Sequence, residues 1–243
     1  MDGTIWIVVP AYNEEKHIIG VIEDLQSNGY HHIVVIDDGS KDNTADASRQ
    51  AGAIVLTHVI NRGQGASLKT GIDFALLHDA DYIITFDSDG QHQAKDIATL
   101  LSPLEKDEAD IVLGSRFLHG AASSVGSTMG STMESINPPI PLSRQILLKG
   151  SIFVIWIFYG LKMTDAHNGF RALSRRAAER ITIKSNRMEH ASEIINEIKR
   201  NNLRYLEKPV TIRYNDPRHI HGAGSYFGAI RIFLKMVLHK LMR

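Results

Sequence analysis

Short apolar runs recur along the first half of the chain. Each is followed by a polar cluster and then by a segment whose apolar residues fall at helical spacing. Ile5-Trp6-Ile7-Val8-Val9 and Ile33-Val34-Val35-Ile36 are continuous and rich in β-branched residues, the pattern of strands covered on both faces. Residues 53–57, 82–86 and 110–113 read the same way, and Pro10 is expected to end the first strand. Residues 14–26 put Ile18, Ile19, Ile22 and Leu25 on one helical stripe, which Asn28-Gly29 closes. Asp42 or Asn43 can cap a second helix ending near Gln50, and further helices are predicted from Gly65 to about His78 and over 94–105. Strand and helix alternating in this way predict an α/β fold, a mostly parallel sheet with helices on both faces.

Beyond Arg116 the pattern changes. Residues 119–141 are rich in Gly, Ser, Thr, Met and Pro and have little periodicity, as in a long lid-like loop. Residues 143–161 hold the apolar run Ile152-Phe153-Val154-Ile155-Trp156-Ile157-Phe158-Tyr159. That run is shorter than the roughly 20 residues a membrane span needs, so it reads as a buried or interfacial helix. Residues 189–200 read as a helix carrying Glu193, residues 209–214 as a strand, and residues 215–225 as a basic loop holding Arg218, His219 and His221. Residues 226–243 form an amphipathic pattern with Arg231, Lys235, Lys240 and Arg243 and no acid. That suits either an anionic membrane surface or a helix docked on the core. The chain thus divides into residues 1–118 and 119–243, taken as halves of one continuous domain.

Composition narrows the function classes. Lys and Arg together balance Asp and Glu at 27 each, so no global electrostatic case exists for nucleic acid. Without cysteine there are no disulfides, thiolate metal sites or cysteine nucleophiles, which agrees with a cytoplasmic setting. The N-terminus enters a strand-like run at once, without a basic n-region, and no signal peptide is expected.

The polar clusters carry the chemistry. In a parallel α/β sheet they sit at the carboxyl ends of the strands, where ligands bind. After the fourth strand comes Asp87-Ser88-Asp89-Gly90-Gln91-His92. In extended chain alternate side chains share a face, so Asp87 and Asp89 can converge, with Gln91 beside them if the extension persists. Two carboxylates and an amide oxygen suit a hard cation, Mg²⁺ or Mn²⁺, that keeps coordination open for phosphate oxygens. Gly63-Gln64-Gly65 with Lys69-Thr70 is not a P-loop, because Leu68 stands where the glycine before the lysine is required. His219 and His221 offer a metal pair at most and read better as a phosphate- or lipid-facing loop.

The segments Val9-Pro10-Ala11-Tyr12-Asn13-Glu14-Glu15, Asp37-Asp38-Gly39-Ser40, Asn61-Arg62-Gly63-Gln64-Gly65, Asp87 to His92 and Gly114-Ser115-Arg116, in this order, resemble family 2 glycosyltransferases. The branch that uses dolichyl or polyprenyl phosphate is the most similar, through the Asn168-Gly169-Phe170-Arg171 segment that follows Asp165. The resemblance implies a GT-A fold with a nucleotide-sugar half and an acceptor half. It implies that Pro10, Tyr12, Glu14, Asp37 and Asp38 hold the nucleotide base and ribose. Asp87, Asp89 and Gln91 would hold the metal, with Ser88 on the nucleotide-sugar side, and Arg116 and Arg218 would meet phosphate oxygens. The donor implied is GDP-mannose or UDP-glucose. The acceptor implied is a polyprenyl or dolichyl phosphate at a membrane surface that the protein visits peripherally.

A cation and an arginine stabilise charge as it develops on a nucleoside diphosphate leaving group. Asp89 and Arg116 are therefore the expected catalytic pair, acting in a direct displacement with inversion. A lipid phosphate needs no strong base, whereas a sugar hydroxyl does, and Glu193 is the candidate by its order in the chain. Extension of a glycan at a hydroxyl, and a non-catalytic nucleotide-sugar-binding protein, are the alternatives. Oligomeric state is not legible in the sequence.

Overall fold

A computed structural model describes residues 3–118, 161, 163–165 and 168–213. Among these, seven strands form one sheet: β1 (Ile5–Ala11), β2 (Ile33–Asp37), β3 (Ile54–Thr57), β4 (Tyr82–Thr85), β5 (Ile111–Ser115), β6 (Arg171–Ser174) and β7 (Tyr205–Pro209). Their order is β3-β2-β1-β4-β6-β5-β7. All pairings are parallel except those of β6, which runs antiparallel to both β4 and β5. Helices α1 (Ile18–Ser27), α2 (Thr44–Gln50), α3 (Gln64–Leu77), α4 (Ile97–Glu105), α5 (Arg175–Arg180) and α6 (His190–Arg200) connect and cover the strands.

The alternation of side chains along each strand separates two cores. Trp6, Val8, Val34, Ile36, Ile83, Ile111 and Leu113 face α3, α5 and α6 through Leu68, Ile72, Ala177, Ile194 and Ile198. Ile7, Val9, Val35, Ile84 and Val112 face α1 and α4 through Ile18, Ile22, Leu25, Ile97, Leu100 and Leu104. Burial on both faces explains why the strands read as unbroken apolar runs.

Three expectations are corrected. Pro10 lies within β1 and pairs with Ile36. Ile7 N–H and Ala11 C=O bond toward β2, while Val8 C=O accepts Phe86 N–H from the β4 side. Pro10 therefore also faces β4, which has ended at Thr85, and its missing N–H removes no ladder bond. Ile19 is exposed and Val21 takes its place on the α1 stripe. The strand expected over 209–214 is instead Tyr205–Pro209. Val210 and Ile212 are buried, as their alternation requires, but only Val210 N–H still bonds to β5, at Ser115 O; Thr211 N–H turns to Asp96 Oδ2 and Arg213 N–H to Gln91 O. The expected lid over 119–141, the apolar run within 143–161, the basic loop with Arg218, and the 226–243 helix lie outside the described residues. No helix among the described residues is long and apolar enough to cross a membrane.

Candidate active site

Strand order reverses at β1: the chain runs outward from β1 to β2 and β3, then crosses back to place β4 on the other side of β1. Beyond the carboxyl ends of these strands opens a cleft of about 400 Å³, at the point where such sheets bind ligands. Its wall is built from Pro10 and Ala11 at the end of β1, Tyr12 and Glu14 after it, Asp38 after β2, Asn61, Gly63, Gln64 and Ser67 at the entry to α3, and Asp87, Ser88 and Asp89 after β4.

The loops after β1 and β2 are bound to each other. Asn13 N–H donates to Ser40 Oγ, and Lys41 N–H returns a bond to Asn13 Oδ1. Glu15 N–H donates to Asp42 Oδ2, and Asn43 N–H returns one to Glu15 Oε2. Asn13 holds φ at 57°, a left-handed conformation that asparagine tolerates better than most residues. These bonds place Tyr12, which is 42% exposed, and Glu14 on the rim. Glu14 Oε2 also meets His17 Nδ1 at 2.8 Å.

Asp37 and Asp38 part company. Asp37 is buried off the cleft wall and accepts Ser40 N–H, closing the turn. Asp38 reaches the wall, but its oxygens already take Arg62 N–H at 2.9 Å, Gly63 N–H at 2.6 Å and His58 Nδ1 at 2.7 Å. It thereby fixes the backbone that leads into α3.

The loop after β4 does not stay extended. It turns at Ser88-Asp89, Gly90 adopts φ of 72°, and Gln91 N–H closes on Asp89 Oδ1 at 3.0 Å. Asp87 and Asp89 still share the cleft wall, whereas Gln91 is not on it. Asp87 accepts Gln64 Nε2 at 3.1 Å on Oδ1 and His92 Nε2 at 2.9 Å on Oδ2. Burial would raise its pKa, but the His92 hydrogen bond and the charges of His92 and Arg171 outweigh that and hold the carboxyl below its ordinary range. No group of three or more metal-ligating side chains gathers among the described residues. Two carboxylates on one wall would suit a hard cation that takes its remaining coordination from phosphate oxygens and water, so the residues present fit Mg²⁺ or Mn²⁺.

Arg116 follows β5 and forms a two-pronged ion pair with Asp165, Nε to Oδ2 at 2.7 Å and Nη2 to Oδ1 at 2.9 Å. The Asp165 side chain is wholly buried, and Glu207 on β7 accepts its N–H and that of Thr164. Arg116 is not on the cleft wall. Glu193 lies in the first turn of α6, where Oε2 accepts Lys184 N–H and Ser185 N–H at 2.9 and 2.8 Å. It holds the turn that packs on the start of α3, and it too is off the wall.

The sequence assigns no role to two buried residues, although Arg171 belongs to the Asn168–Arg171 segment. Arg171 opens β6 fully buried, with Asp87 and Asp165 as its charge neighbours, and burial lowers its pKa to about 10. His190 is buried at the start of α6, and burial with the Arg171 charge lowers its pKa to about 4. Its Nδ1 lies 2.8 Å from Arg187 O, and since a carbonyl only accepts, Nδ1 carries the proton. Unfolded, this imidazole titrates near 6.5; folded, near 4. Above 6.5 both states are neutral. As the pH falls toward 4 the unfolded chain binds the extra proton, and stability drops by roughly 1.4 kcal/mol per unit. Between pH 7 and 5 the protein is expected to lose about 2 kcal/mol that a His190→Asn variant keeps. Denaturant titrations of both proteins at the two pH values check this, and equal losses would contradict it.

A family model described as glycosyl transferase family 2 matches residues 6–182. The chain is 31% identical over 259 residues to the UDP-N-acetylglucosamine–dolichyl-phosphate N-acetylglucosaminyltransferase of Methanococcus voltae, covering 99% of this chain and 97% of that one. It is 26% identical over 184 residues to the polyprenol monophosphomannose synthase of Mycolicibacterium smegmatis, covering 73% of this chain and 64% of that one. Its fold is similar to that of glucosyl-3-phosphoglycerate synthase from Mycobacterium tuberculosis in complex with Mn²⁺ and UDP-glucose. The TM-score is 0.64 at 20% identity, over 98% of this chain and 79% of that one.

Proposed function

This chain belongs to glycosyl transferase family 2, and we propose that it moves a sugar from a nucleoside diphosphate donor to a polyprenyl phosphate. The observation that carries the reading is the nearly full-length match to a dolichyl-phosphate transferase, which spans the acceptor-side half as well as the cleft. A UDP-linked N-acetylhexosamine is the first donor to test, on the strength of that relative, with UDP-glucose and GDP-mannose beside it.

Tyr12 and Glu14, with Pro10 and Ala11, line the cleft where the nucleoside would lie, and Asp87 and Asp89 would face the diphosphate. A bound Mg²⁺ or Mn²⁺, held there by Asp89 and Asp87, supplies positive charge to the leaving diphosphate. The acceptor phosphate is already an anionic nucleophile, so no side chain has to take its proton, and attack from the far face inverts the anomeric carbon. The hydrogen bonds that occupy Glu193 favour this acceptor over a sugar hydroxyl, which requires a base. Arg116, paired with Asp165 here, would steady phosphate charge once that pairing opens. A lipid acceptor implies that the protein works at a membrane surface.

The test is transfer of labelled sugar into an organic-extractable lipid by purified protein with polyprenyl phosphate and Mn²⁺ or Mg²⁺. Label in the lipid phase that disappears with EDTA is the expected result. Label found only in a water-soluble glycan would overturn the acceptor assignment.

A further inference from the structure

His92 forms no part of the cleft wall, yet it touches Asp87, which does. Its side chain is 4% exposed and packs against Phe86 and Phe170, with ring centroids 5.4 and 4.8 Å away. Nδ1 has no hydrogen-bond partner among the described residues, so aromatic packing, and not a second bond, sets the ring's orientation. That orientation aims Nε2 at Asp87 Oδ2. On the other oxygen sits Gln64 Nε2, from the first turn of α3. The third side is Gly169, whose carbonyl accepts Thr85 Oγ1–H at 2.5 Å. A Cβ added there would stand 2.7 Å from both oxygens of Asp87, so only the bare glycine Cα fits against the carboxylate.

Three separate pieces of chain thus close on one carboxylate. The last torsion of an aspartate is broad and soft on its own. A donor on each oxygen fixes the carboxylate plane and leaves the outward lone pairs facing the cleft. We propose that His92, together with Gln64, is a positioning residue that locks the Asp87 carboxylate in the orientation needed to bind a divalent cation with a nucleoside diphosphate. Such supporting hydrogen bonds typically change metal affinity 10- to 100-fold. The inference rests on the donor-site reading of Asp87 given above.

The test is calorimetric titration of Mn²⁺ with UDP, and separately with GDP, into the wild type and three variants, with thermal unfolding of each. His92→Phe keeps the aromatic packing and removes the donor. His92→Gln restores an N–H at about the place of Nε2. Gln64→Leu removes the second donor at the rim and carries the test if His92→Phe does not fold. The expected result is a 10- to 100-fold weaker Kd for Mn²⁺ with nucleotide in His92→Phe. Recovery to within a few fold is expected in His92→Gln, with similar melting temperatures, and a loss of about tenfold in Gln64→Leu. Native affinity in His92→Phe or, if that variant does not fold, in Gln64→Leu overturns the inference while leaving the donor site standing, as does a His92→Gln no better than His92→Phe. A wild type that binds neither nucleotide with Mn²⁺ overturns the donor-site reading, and this inference with it.

Discussion

Gly65→Ala is expected to destabilise the protein by about 3 kcal/mol, at the upper end of overpacking effects. The added Cβ would stand 2.1 Å from Ser185 O, 3.1 Å from Arg187 O and 3.0 Å from His190 Cβ. Two of these are backbone carbonyls of the 184–187 turn. That turn is itself held by Glu193 and bonded to α3 through Ala66 N–H and Asn186 O. Neither side can give way by a side-chain rotation, so the helix start and the turn must separate. For a domain of this size the loss corresponds to a melting temperature lower by roughly 6–12 °C. Gln64 would move with the helix start, so nucleotide binding should fall as well. Gly20→Ala is the control: nothing lies within 4 Å of its added Cβ on the exposed side of α1, and the helix should gain up to about 1 kcal/mol. Melting curves of the two variants decide the matter, and equal midpoints would mean the close approach at Gly65 is softer than its geometry.

The second large effect separates the two carboxylates of the cleft. Asp89→Ala is expected to lower turnover 10²- to 10³-fold, the usual loss when one group that stabilises developing charge is removed. Its melting temperature should change little. Asp87→Ala should lose turnover at least as severely and, in addition, lose roughly 1–3 kcal/mol of stability, because it strands the N–H donors of His92 and Gln64. Arg171 would also lose one of the two negative neighbours that keep a buried guanidinium tolerable. Initial rates with labelled donor and melting curves, measured side by side, give the comparison. If Asp87→Ala melts with the wild type, the buried charges are compensated in some other way.

The parts of the fold that were legible in the sequence are those that local pattern determines. Strands β1, β2 and β4 lie in the sheet interior, and an unbroken apolar run leaves little else for them to be. Helices α1 and α3 follow from spacing and from the residues that stop them. Strand β6 was not legible: Arg171-Ala172-Leu173-Ser174 begins with a buried cation and ends with a helix-capping serine, and it becomes a strand only because β4 and β5 leave a gap between them. The site divides the same way. Tyr12, Glu14, Asp38, Asp87 and Asp89 stand at strand ends and could be placed by order alone. The support given by Gln64, His92, Gly169 and Arg171 could not, because it comes from three segments far apart in the chain and only the folded chain brings them together. Asp37 and Asp38 could not be told apart either, since alternation sends one inward and the other to the wall.

The antiparallel β6 has a consequence for how the chain is made. Both neighbours of β5 in the sheet come later in the sequence, β6 from residues 171–174 and β7 from residues 205–209. A nascent chain that has just emitted Ser115 can already assemble β3-β2-β1-β4, but it carries β5 as an apolar segment with no partner, and β4 with one open edge. The middle of the sheet therefore stays open until residues 171–174 have been synthesised and a closure of long sequence separation has been achieved, and β7 then completes the edge. Until then the unpaired segments are the ones exposed to wrong pairing with other chains. Truncation between the two halves would produce an aggregating fragment in place of a small nucleotide-binding domain.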